Sequence, residues 1–146
     1  YTFIKLTVPP PSMILFDASN RDQCEVKRSK TNTPLQALMM MNDPLVMEAS
    51  RVLAQRLLEE QSASSEKITK AFRLIICRKP TAKEIAVLEG YFKEQQELYQ
   101  QKKSEAAIMI KKGEYPAAKK IDVNEQAALM KTIGAIYNLE EAITKT

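Results

Sequence analysis

Between Phe16 and Leu38 the chain gathers Asp17, Asn20, Arg21, Cys24, Arg28, Thr31, Asn32 and Thr33 on the approach to a helix that opens at Pro34. Those residue types define a narrow chemistry. A guanidinium offers five planar donors, so Arg21 and Arg28 suit either a bidentate carboxylate or sulfate, or several backbone carbonyls at once. Cys24 stands between the two arginines, which favours its thiolate, but Asp22 and Glu25 oppose that effect. The chain has no histidine, so it holds no Ser-His-Asp triad, no histidine base for a cysteine and no His-ligated metal. Two uses of the motif follow. As a structural latch, it satisfies the backbone of an irregular segment that has no ladder of its own. Asp17 and Asn20 then make local turns, and Thr31 or Thr33 caps the next helix. As a binding motif, the same eight residues grip a carboxylate, sulfate or sugar acid beside the positive end of the helix at Pro34. The latch is the favoured use, and no residue is assigned a catalytic role.

Composition sets the frame for those elements. A chain of 146 residues fits one domain with a real core. Its 45% apolar and 27% charged residues place it among ordinary globular proteins, and only three glycines favour helices over a β-sandwich or barrel. The longest apolar runs, Met13 to Phe16 and Leu38 to Met41, fall far short of the ~20 residues a bilayer requires, so no membrane span is expected. The net charge of +4 is scattered over Lys27-Arg28, Arg78-Lys79, Lys102-Lys103, Lys111-Lys112 and Lys119-Lys120. These pairs sit near helix ends and loops, which argues for solvated helix termini and against nucleic acid as a partner. Cys24 and Cys77 form no CxxC pair, which argues against zinc and against covalent haem; no cofactor is expected. A disulfide between them and two separate thiols both stay open. The first residue is Tyr1, which reads as a fragment or a processed product.

The elements follow from local signals. Residues 1–12 alternate weakly and reach Pro9-Pro10-Pro11, which predicts an extended segment followed by a polyproline stretch, with residues 12–32 irregular. Thr33, Pro34 and Gln36 form a capping-box start, and Asn42-Asp43-Pro44 ends that short helix and opens another. The second helix carries Val46, Ala49, Leu53 and Leu57 as its apolar stripe and runs to about Glu60. Ile68, Ala71, Phe72, Ile75 and Ile76 give a faultless helical period. Pro80 stops it, and Thr81 to Glu84 is a second capping box, for a helix with Ile85, Leu88, Tyr91, Phe92 and Tyr99 inward. A break is expected near Lys102 to Ser104, because an unbroken helix to Gly113 would be unusually long. Asp122 caps the last long helix, with Ala127, Met130, Ile133 and Tyr137 inward, and Asn138-Leu139 makes a corner before a final turn. Met39, Met40, Met41 and Met47 are expected in the core. The fold class is all-α: an extended segment and polar loop over 1–32, then a helical domain over 33–146 with about five to seven helices.

The string Phe16-Asp17-Ala18-x-Asn20-Arg21-x-x-Cys24-x-Val26-x-Arg28-Ser29-x-Thr31-Asn32-Thr33-Pro34-Leu35-Gln36-Ala37-Leu38 resembles the signature of the planctomycete PSD1 family, the domain of unknown function 1553. Met41 to Pro44, Ala71 to Arg73, Arg78 to Glu84 and Tyr137 to Thr144 are similar to later blocks of that family, in the same order. Met39-Met40-Met41, Lys27 and Ala142 depart from its usual residues. The resemblance implies a C-terminal module of a large exported protein, periplasmic or extracellular. Its partners would be upstream domains of the same polypeptide, a cytochrome-c-like domain among them. It carries no catalytic residues over to this chain. The resulting expectation is a non-catalytic helical module that docks or stabilises other domains. The alternative is that the Arg/Asp/Cys motif supplies half of a pocket for an acidic or sulfated ligand, such as an acidic carbohydrate, completed by upstream domains.

Overall fold

A computed structural model describes residues 9–18, 26–27, 31–60, 63–117 and 121–144. Within them the chain forms α1 (Pro11–Leu15), α2 (Pro34–Asn42), α3 (Pro44–Glu59), α4 (Ser64–Ile76), α5 (Ala82–Gln101), α6 (Lys103–Met109), α7 (Val123–Tyr137) and α8 (Glu140–Ile143), with no strand among the described residues. The fold is all-α.

Local chemistry explains most of the boundaries. Thr33 and Thr81 each complete a reciprocal capping box, with Gln36 and Glu84. Asp43 accepts from the Leu45 and Val46 amides at the start of α3, and Asp122 accepts from Asn124 at the start of α7. The expected break after α5 falls at Lys102, whose φ of −112° and ψ of 55° interrupt the helical path before α6.

α7 is the central element. It is buried nearly all round, through Gln126, Ala127, Ala128, Leu129, Met130, Thr132, Ile133 and Ile136, and packs chiefly against α3 and α5, with α4 and α6 alongside. Ala127 and Ala128 let the neighbouring helices approach closely, while Leu57, Ile68, Phe72 and Phe92 fill the space between them. Truncating fully buried Phe72 to alanine would cost about 3–5 kcal/mol.

Three local expectations differ from what forms. α1 is a short helix inside the stretch read as irregular; Pro11 sits at its start, where a missing N–H costs nothing. On α3 the inward face is Met47, Ser50, Arg51, Ala54 and Leu57, whereas Ala49 is exposed and Val46 and Leu53 are only partly covered. That face carries two polar residues because both find backbone acceptors. The Ser50 hydroxyl donates to Val46 O at 2.8 Å, and Arg51 donates to Lys112 O at 2.9 Å and Tyr115 O at 2.6 Å. Of the four clustered methionines only Met47 is in the core, and Met41 is 59% exposed.

Candidate functional site

The described part of the Phe16–Leu38 motif forms one hydrogen-bonded knot between α1 and α2. α1 ends with Asp17 in the left-handed region at φ 55°, a conformation that a short polar side chain tolerates. The Ala18 amide donates to Met13 O at 2.8 Å and the Asp17 amide to Ile14 O at 3.3 Å, the paired closure that seals a helix C-terminus. This turn aims the Asp17 carboxylate at Thr31. One oxygen, Oδ2, accepts from both the amide and the hydroxyl of Thr31, each at 2.7 Å.

Gln36 carries the knot inward. Its side chain is only 1% exposed, and it uses both ends of the amide. Oε1 accepts from the Thr33 amide at 2.9 Å, while Nε2 donates to Leu15 O at 2.7 Å and to Thr31 Oγ1 at 3.1 Å. Thr33 Oγ1 in turn accepts from the Gln36 amide at 3.3 Å. A single buried amide thereby ties the end of α1, the loop at Thr31 and the start of α2. Gln36 entered the sequence argument only as a capping partner. The available signal was its type: a capping glutamine brings two donors that a glutamate lacks, and a buried amide must use them.

The predicted site residues therefore divide. The structure brings Asp17, Thr31 and Thr33 into one network, and leaves Asn32 exposed beside it. Asn20, Arg21, Cys24 and Arg28 lie outside the described residues, and with them the guanidinium clamp. Cys77 is exposed at the end of α4, in the left-handed region at φ 64°, with no disulfide partner among the described residues. Among the described residues no group of three or more histidine, cysteine or acidic side chains is placed to hold a metal, and no helix is long and apolar enough to cross a membrane.

A second polar cluster, absent from the candidate residues, joins α4, α5 and α8. Arg78 grips Glu84 through Nη1 at 3.0 Å and Nη2 at 2.6 Å, and grips Glu141 through Nε and Nη2 at 2.8 Å each. Its guanidinium also lies 4.9 Å from the Phe72 ring centre. Glu84 simultaneously caps α5, so one carboxylate serves the helix start and the ion pair. The Arg78 hydrogen bonds, helped by the Thr81 amide and hydroxyl, hold the Glu84 carboxyl down to about 2. Arg78 likewise holds Glu141 below the usual carboxylate range.

A third clasp fixes the turn after α6. Glu48 accepts from the Tyr115 amide at 2.6 Å, and its neighbour Arg51 donates to the two carbonyls already named. Gly113 turns there at φ 94°, and a Cβ at that position would collide with the Glu48 side chain.

All three arrangements tie the protein's own groups to one another. In comparison with known proteins, the family model described as PSD1, protein of unknown function (DUF1553), matches residues 1–92. No curated protein and no solved structure matches the chain. The matched span covers more than half of the sequence, from the segment ahead of α1 into α5, and takes in both the Gln36 knot and the Arg78–Glu84 pair. The chain belongs to the PSD1 (DUF1553) family of proteins of unknown function.

Proposed function

We propose that this chain is a non-catalytic helical module of a larger exported protein, and that it docks to other domains of that polypeptide through α1 and α2. The observation that carries this reading is an open apolar shelf of about 500 Å³ lined by Pro11, Ile14, Leu15, Leu35, Leu38 and Met39. Ile14, Leu35 and Leu38 on it are 60%, 59% and 56% exposed. Large aliphatic side chains grouped this way on two adjoining helices mark an interaction surface, whereas single exposed ones would not. The knot around Gln36 supports the same reading, because it fixes the angle between α1 and α2 and so pre-forms the shelf. Asp17 and Thr31 serve the module as a latch. Export and the identity of the neighbouring domains rest on the family resemblance.

The test is the Leu35→Glu/Leu38→Glu double variant in the full polypeptide. Both positions are exposed, so the fold and melting temperature of the module itself should change little. Docking should be lost, seen as faster proteolysis of the segment joining the module to its neighbours. Unchanged proteolysis alongside an intact module would contradict the proposal, as would turnover of a substrate by the module alone.

A further inference from the structure

Beyond α7 the chain is held very unevenly. Up to Asn138 it is anchored: Asn138 Nδ2 donates to Ala37 O at 3.3 Å, and the Asn138 backbone N–H closes α7 on Gly134 O at 3.2 Å. Leu139 then leaves the helical path, extended at φ −66° and ψ 143°, and α8 follows. No residue of α8 is buried, no side chain caps its start, and Ile143 stays outside the hydrophobic core. Four residues are far too few for a helix to persist without support, so α8 is helical only while it is docked.

Among the described residues one polar link docks it. Arg78 donates to Glu141 through Nε and Nη2 at 2.8 Å each. The other polar contact made by a side chain here is local, from the Thr144 hydroxyl to Glu140 O at 3.0 Å. The two sides of the bridge are not equally fixed. Arg78 is also held by Glu84 at 2.6 Å and lies over the ring of fully buried Phe72. Glu84 in turn accepts from the Thr81 amide. Losing Glu141 leaves those contacts in place, whereas α8 loses its tie. The bridge is open to solvent, with Arg78 37% and Glu141 53% exposed, so salt reaches it.

We propose that α8 is a salt-released strap. When the Arg78–Glu141 bridge is screened, α8 swings away about Leu139 and melts, while Arg78 stays on Glu84 and the rest of the helices stay folded. Release uncovers the parts of α4 and α7 on which α8 packs, so ionic strength sets how much of that surface is covered.

The test is amide exchange of the chain, followed residue by residue by NMR at low salt and in about 1 M sodium chloride, where the screening length shrinks to about 3 Å. The Ala142 and Thr144 amides, bonded to Leu139 O and Glu140 O, should exchange about two- to five-fold faster in high salt, the range that one exposed ion pair supplies. The amides of Asn138, one position ahead of the hinge, and of Ile85, in the first turn of α5, should keep their rates. In Glu141→Gln the two strap amides should exchange fast already at low salt and gain nothing from more. Strap amides indifferent to salt, or unchanged in Glu141→Gln, would overturn the proposal. So would Asn138 and Ile85 accelerating in step with them, because the opening would then be that of the whole molecule.

Discussion

The knot around Gln36 and the clasp around Arg78 do similar work by opposite means. The first joins α1 to α2 through a neutral amide that is 1% exposed and through backbone groups of Leu15 and Thr33. The second joins the ends of α4, α5 and α8 through full charges on side chains that are 32% to 53% exposed. A buried amide is screened from salt and does not titrate, but loses heavily if one partner goes. An exposed ionic cluster is screened by salt and loses its attraction when its carboxylates are protonated. The first should therefore behave as a fixed joint and the second as a condition-dependent one.

Gln36→Ala should separate them most sharply. It removes a capping partner and leaves Leu15 O and Thr31 short of a donor, a loss of about 2–3 kcal/mol. For a chain of this size that lowers the melting temperature by roughly 5–10 °C. Calorimetry should find the same loss at low and high salt. Arg78→Ala should cost less, a few degrees, and the difference from the parent should shrink in molar salt.

Acid sharpens the contrast further. Glu84 is held at about 2 in the folded chain against an ordinary value of 4.5, so between those values the unfolded chain binds more protons. The clasp's contribution is complete above about pH 4.5 and is lost as the pH falls toward 2. Melting curves across that window should slope less in Arg78→Ala than in the parent, while Gln36→Ala keeps the parent slope. The smallest effect belongs to Asp17→Asn. Asparagine tolerates the left-handed turn and its carbonyl still accepts from Thr31, so the expected loss is under about 1 kcal/mol. A loss as large as that of Gln36→Ala would mean that the carboxylate's charge, and not its geometry, holds the loop.

Whatever is local was legible from residue types alone. Thr33-Pro34 with Gln36, Asp43-Pro44, Thr81 with Glu84, and Asp122 each announce a helix start within a few positions, and each caps the helix it was expected to cap. Whatever depends on distant partners was not. Arg51 is buried because it meets carbonyls 61 and 64 positions further on, which no periodicity on α3 can reveal. Met39, Met40 and Met41 could not all enter the core, since three consecutive helical positions fan out at about 100° steps. Arg78 and Glu84 share one block of the family resemblance and Glu141 lies in another, and only the packing of α8 against α4 brings Glu141 to them. The polyproline expectation gave way at Pro11 because a proline that stiffens an extended segment also fits the first turn of a helix.

The measurement that tests the docking account most directly is hydrogen exchange of this chain alone against the same residues within the full polypeptide. The account predicts slower exchange in the full polypeptide at Ser12–Leu15 and Leu35–Met41, the helices that carry the apolar shelf. Equal exchange there, or protection gained only elsewhere in the module, would contradict it.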